Sequence, residues 1–210
     1  MEIVLRPEEE KDFRRVEELT REAFWNVYAP GCCEHVLVHN LRNAKEFVKE
    51  LDFVAVCGDT IVGNIVYAET KVKNDDSEYP VLTFGPVSVL PEYQNKEIGS
   101  ALINRTIPLA RDRGYKAIIL YGDPAFYKRF GFKESKEYGI TNKGKKYPAA
   151  LLVCELSADA LNGITGIFEE GEIYDISEDE IDAFEQGFRK KEKYVTKTQE
   201  RFLEIASKYV

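Results

Sequence analysis

The stretch from Phe84 to Ile103 constrains this chain more than any other. Val87, Val89 and Leu90 make a short β-prone run, and Pro91 ends it because proline cannot donate to a ladder. From Ile98 the apolar residues return at helical spacing, at Ile98, Ala101, Leu102, Ile107, Leu109 and Ala110. Between the two lies a polar loop, Gln94-Asn95-Lys96-Glu97-Ile98-Gly99-Ser100. A helix entered in this way presents unpaired backbone N–H groups and the positive pole of its dipole, a ready seat for phosphate.

The flanks supply further elements. Ile3-Val4-Leu5 reads as a strand, Glu8 to Phe24 as a helix, and Trp25 to Cys33 as an aromatic-rich loop before a second helix from Glu34 to Lys49. Phe53 to Lys71 reads as a hairpin turning at Gly58-Asp59, and Tyr79 to Leu90 as the strand entering the central loop. After the helix stop at Arg113-Gly114 come a strand from Lys116 to Tyr121 and a short helix with Asp123 as N-cap and Pro124 first. Gly131 ends that helix, and Ala150 to Leu156 is the last strand of the body.

Tyr127-Lys-Arg-Phe-Gly-Phe132 completes a pattern. The loop resembles the acetyl-CoA loop of the GNAT N-acetyltransferases, whose form is Gln or Arg, two residues, Gly, one residue, then Gly or Ala. Gln94 and Gly99 fit, while Glu97 stands where the first Gly belongs. Tyr127 to Phe132 resembles the Tyr-x-x-Leu-Gly-Phe segment of that family, and the element order over residues 1–156 is the family's order. The resemblance implies an α/β (α+β) fold: a mixed, mostly antiparallel sheet flanked by helices. Residues 157–210 then form a helical C-terminal extension.

By resemblance, acetyl-CoA lies where the fourth and fifth strands part. Val87, Ser88 and Val89 would line its pantetheine arm, and the backbone from Gln94, Asn95, Lys96, Glu97 and Ile98 to Gly99 and Ser100 would hold its pyrophosphate. Asp123 and Phe126 would complete the coenzyme site. Tyr127 would be the general acid for the departing thiolate. Glu69 is named with it as a candidate base, with Glu34, His35 and a water-mediated route as alternatives. Trp25, Tyr28, Glu34, His35 and His39 would wall the acceptor site, which the family builds from its first two helices and their loop. The acceptor is expected to be a small-molecule or peptide amine. The alternative is a GNAT-fold module that binds acyl-CoA or another ligand without turnover.

Composition excludes several other classes. A net charge of −8 argues against nucleic acid as a partner. No apolar run approaches the ~18 residues of a membrane span, and no secretory leader is expected at Met1-Glu2-Ile-Val-Leu-Arg6. Four cysteines without framework spacing point to a reducing cytoplasm. His35 and His39, one helical turn apart behind Cys32 and Cys33, could share a metal, but their order is not the His-Glu-x-x-His of zinc hydrolases; none is expected.

The acids concentrate in the extension, with nine between Glu169 and Glu185. Two capping-box patterns open its helices, Ser177 to Glu180 before Ile181, Phe184 and Phe188, and Thr196 to Gln199 before Phe202 and Tyr209. Their apolar stripes need cover, from the body or from a second subunit in a homodimer.

Overall fold

A computed structural model of the chain describes residues 2–210. In order the elements are β1 (Val4–Pro7), α1 (Phe13–Phe24), α2 (Glu34–Leu41), β2 (Phe53–Cys57), β3 (Thr60–Lys73), β4 (Glu78–Val89), α3 (Ile98–Asp112) and β5 (Ala117–Tyr121). They continue with α4 (Pro124–Tyr127), β6 (Lys133–Glu134), β7 (Ile140–Thr141), β8 (Leu151–Glu155), β9 (Gly166–Glu169), α5 (Glu178–Glu185) and α6 (Lys197–Ala206). The main path of the sheet is β1-β2-β3-β4-β5-β8-β6, with β9 paired to β3 and β7. All pairs are antiparallel except β4–β5 and β7–β9.

Period-two alternation sorts the strands into two cores. On one face Ile65, Tyr67, Leu82, Phe84, Ile118 and Leu120 pack under Ile98, Leu102 and Ile103 of α3. On the other, Val54, Val66 and Ala68 meet Val16 of α1 and Leu37, Val38 and Leu41 of α2. Val72, Val81, Ala117 and Ile119 extend that second face beneath Ile140, Leu161, Ile164 and Phe168. Gly63 lets α3 approach the sheet, since a Cβ there would come within 3.0 Å of the Ile98 side chain.

Two helix boundaries differ from the sequence reading. The first helix begins at Phe13, behind a 3-10 turn over Glu10–Asp12. Asp12 is held there by Arg6 (Nη2–Oδ1 3.0 Å) and accepts the Glu9 N–H at 3.0 Å. The second helix stops at Leu41 rather than Lys49. The chain must then return to the sheet edge, where Glu69 N donates to Glu46 O (2.7 Å), Val48 N donates to Tyr67 O (3.0 Å) and Phe47 bridges Ala68.

The extension is not wholly helical. Strand β9 joins the edge of β3, with Val72 opposite Phe168. Four residues are too few to display a period, and the approach depends on Gly166, where a Cβ would overlap the Lys73 carbonyl. The Ser177–Glu180 capping box forms as expected. The Thr196–Gln199 box does not, because those side chains dock elsewhere: Thr196 Oγ1 and Gln199 Nε2 donate to Asn26 O at 2.8 and 3.0 Å.

Helix α5 finds cover on its own body. Phe184 stacks on His39 with centroids 4.7 Å apart, and the Arg14 guanidinium lies 3.8 Å from the Phe188 ring. Phe202 rests on Tyr28 at 4.6 Å but stays 42% exposed. Among the described residues no helix is long and apolar enough to cross a membrane.

Candidate active site

Strands β4 and β5 meet at one registered pair, Leu82 and Ile118, and then part. The cause lies in β4. Phe84 stands opposite Tyr67 and Val87 opposite Ile65, so Gly85 and Pro86 together face Val66. That extra residue is a bulge, which bends its strand. Beyond it Leu90 N donates to Val62 O at 3.0 Å, so Ser88 and Leu90 turn their backbone groups to β3. Val87 and Val89 therefore turn theirs into the opening. The Val89 carbonyl accepts from Gln94 Nε2 at 3.1 Å. Ser88 points its hydroxyl to Thr20 of α1 instead, 2.9 Å away in the core.

The loop beyond folds back with two left-handed residues, Asn95 (φ 58°) and Glu97 (φ 60°). Glu97 is the N-cap of α3 but does not cap it with its side chain. Its carboxylate lies 3.8 Å from Arg129, both groups well exposed. Among the described residues none of the N–H groups from Asn95 to Ser100 finds an acceptor. Lys96 reaches back to Glu92 O at 2.7 Å. Gly99 borders the opening, where a Cβ would sit 3.7 and 3.8 Å from the methyls of Val89 and Val87. A larger side chain would fill the groove beside those strand residues. These features fit a phosphate-bearing ligand with an amide arm.

Tyr127 ends α4, which starts where Asp123 accepts the Ala125 N–H at 2.9 Å. Its ring covers Gly122 so closely that a Cβ there would overlap it. Around it stand Phe84, Phe126 and Phe132, with centroids 6.0, 5.0 and 5.4 Å away. The hydroxyl makes no hydrogen bond among the described residues. Burial, with a lesser push from Tyr28, raises its pKa, so the phenol is kept as a proton donor. Phe126 is half-open under the Arg129 guanidinium at 4.4 Å, and Asp123 is bound by Arg201 of α6 at 2.8 Å.

The acceptor-wall residues separate into two groups. Tyr28 and Glu34 line a cavity of about 380 Å³ with Phe24, Cys32, Ile181 and Asp182. The pKa of Glu34 is raised by burial, although its carboxylate accepts the Cys33 N–H at 3.0 Å. Burial, with Glu34 and Asp123 adding to it, raises the pKa of the Tyr28 phenol.

Trp25, His35 and His39 instead lie beneath the extension. Trp25 Nε1 donates to Glu192 O at 2.9 Å. His35 is fully buried, 3.5 Å from Cys32 Sγ and 2.8 Å from Glu185 Oε1, off the line of a straight hydrogen bond. Burial pushes its pKa down to about 4. His39 Nδ1 contacts Glu17 at 2.9 Å. Among the described residues no three His, Cys, Asp or Glu side chains gather as a metal site would require.

Glu69 is not brought to Tyr127. It points outward from β3 at the far end of α3, accepting from Tyr115 Oη at 3.1 Å. Glu69 shares the Tyr67 face but lies three residues beyond Val66, the residue that the bulge faces. Sequence reasoning also missed the groups that the extension contributes, Asp182 on the cavity and Tyr174 beside Thr83 of β4. No local motif marks them, because they arrive through long-range packing.

Residues 4–135, well over half of the chain, match the family model of the acetyltransferase (GNAT) domain. The chain belongs to the GNAT family of acetyltransferases and is by that membership an N-acetyltransferase. Over 137 residues it is 28% identical to the uncharacterized N-acetyltransferase YhbS of Escherichia coli strain K12, covering 65% of this chain and 80% of the relative. A crystal structure of Escherichia coli YhbS in complex with CoA is similar at a TM-score of 0.74 and 25% identity, over 83% of this chain and 92% of that one. A GNAT family acetyltransferase from Brucella melitensis in complex with acetyl-CoA gives 0.67 and 25% identity, over 82% and 98%.

Proposed function

We propose that this chain transfers an acetyl group from acetyl-CoA to a primary amine of a small molecule or peptide, by direct attack of the amine. The observation that carries this reading is the unpartnered run of N–H groups from Asn95 to Ser100, opening beside the parted edge of β4 with the Tyr127 phenol nearby. Bound there, acetyl-CoA supplies an activated thioester.

The protein's own groups divide the work. The N–H groups at the start of α3 hold the pyrophosphate, aided by the helix dipole. Val87 and Val89 pair with the amide arm as a further strand would. Tyr127 gives its proton to the departing sulfur. Tyr28 and Glu34 form the acceptor wall.

Calorimetric titration with acetyl-CoA tests the coenzyme half of the proposal. The native chain should bind, and Gly99→Leu should bind far more weakly because its side chain enters the groove by Val87 and Val89. Equal affinity in the two proteins would move the coenzyme elsewhere.

A further inference from the structure

The amine that approaches this site is an ammonium ion in neutral water and must lose a proton before it can attack. Tyr127 cannot take that proton, being itself protonated and on the α3 face of the sheet with Phe84 and Leu120. The opposite face of the same opening carries a different set of groups. Counting on from the Leu82–Ile118 pair sets Gly85 level with Tyr121, and Tyr121 shares a face with Ile119 and Thr83 rather than with Leu120.

Onto that face the extension brings the residues that follow β9. Phe168 packs against Tyr121 with centroids 6.3 Å apart. The Tyr174 hydroxyl is buried and turned to Thr83, yet makes no hydrogen bond of good geometry among the described residues. Glu170 follows Phe168 by two residues at the end of β9, and its charge helps to raise both the Tyr121 and the Tyr174 phenol. A buried hydroxyl without a partner, a carboxylate and a 42%-exposed tyrosine thus gather at the mouth of the parted strands. That group can receive a polar ligand from solvent.

We propose that Glu170 is the general base of the reaction, taking the proton of the acceptor ammonium on the face of the sheet opposite Tyr127. The assignment rests on the acetyl-transfer reading above. Glu170 accepts one proton and passes it to water. The freed amine forms the new C–N bond as the C–S bond breaks, and Tyr127 protonates the departing sulfur. The nitrogen's second proton returns through water to the Tyr127 phenolate. One proton is released overall, with no oxidant or reductant needed.

The surroundings suit the role. Burial pushes the Glu170 carboxyl up to about 7, with Lys143 opposing and Asp175 adding to the shift. The Tyr121, Tyr174 and Tyr209 phenols also lie on this side, with the Lys146 ammonium 5.0 Å from the Tyr209 ring. A base with a pKa near the working pH combines availability with driving force.

Glu170→Gln in the full chain is the test, with one readout that needs no coenzyme. With an accepted amine, kcat should fall by roughly 10²–10⁴. The rise of native kcat/KM through about pH 7 should vanish, and acetyl-CoA affinity by calorimetry should stay unchanged. In the free protein, urea unfolding should find the variant more stable than the native chain above pH 7 and equal to it at acid pH, because a buried carboxylate is costly only when ionised. Normal turnover with an intact pH profile, or no difference in stability at any pH, overturns the base. A native chain that acetylates no amine takes the transfer reading down with it, even if the stability difference appears.

Discussion

Arg21 of α1 grips Glu185 of α5 with both arms of its guanidinium, Nε to Oε1 at 2.7 Å and Nη2 to Oε2 at 2.6 Å. Arg21 is 3% exposed and Glu185 16%, so the pair is shielded from solvent. It joins the family domain to residues beyond Leu156, together with the Trp25 and Asn26 bonds to Glu192 O. Removing one partner strands the other charge in the interior. Glu185→Ala should therefore cost about 3 kcal/mol of stability by urea unfolding. It should also open the segment after Gln186 to limited proteolysis. A loss below about 1 kcal/mol would put the pair with screened surface contacts.

His35 stacks beside the same carboxylate and gives stability a pH dependence. Its folded pKa is about 4, below the ordinary 6.5, so the folded state binds the proton more weakly than the unfolded chain does. The stability it contributes is complete above pH 6.5 and is lost as pH falls through the folded value. The loss by acid should approach about 3 kcal/mol as an upper figure. Denaturant unfolding from neutral to acid pH would show it, and His35→Gln should flatten the slope in that window. An unchanged slope would mean that other groups govern acid unfolding.

The sequence made the frame of the fold legible for a physical reason. Pro91, Gly131, Asp123 and the Ser177 box act locally, within a turn of their own position, and each marks a boundary that the structure keeps. The turn from Gln94 into α3 was legible on the same grounds, since its shape is set by the backbone of seven consecutive residues. What escaped was non-local. The end of α2 is set by pairing with β3, β9 depends on a close approach at Gly166, and Thr196 and Gln199 serve Asn26 rather than their own helix. Glu69 was named from strand adjacency, but the bulge at Gly85-Pro86 and the contact with Tyr115 separate it from the opening.

Tyr127→Phe keeps the ring over Gly122 and removes only the hydroxyl. If that phenol protonates the departing sulfur, kcat should drop by roughly 10²–10⁴ while acetyl-CoA affinity holds. Steady-state kinetics paired with calorimetry separate the two effects. Lost affinity with normal turnover would make Tyr127 a packing residue of the Phe84, Phe126 and Phe132 cluster.

Glu97 holds a left-handed conformation that costs a side-chain-bearing residue roughly 1 kcal/mol. It also sets a negative charge beside the α3 N-terminus. Glu97→Gly relieves both, so acetyl-CoA should bind a few-fold more tightly, with the gain shrinking as salt screens the charge. Calorimetry at low and high ionic strength reads this directly. Weaker binding would show that the Glu97–Arg129 contact supports the loop.

Acetyl transfer to an amine is tested most directly by incubating the full chain with acetyl-CoA and a panel of primary amines, counting released thiol and acetylated product together by mass spectrometry. The expected result is equal amounts of the two for at least one amine, at a rate that climbs through about pH 7 as Glu170 ionises. Thiol release that never exceeds spontaneous hydrolysis, in a chain that still binds acetyl-CoA, would contradict it and leave a coenzyme-binding module in its place.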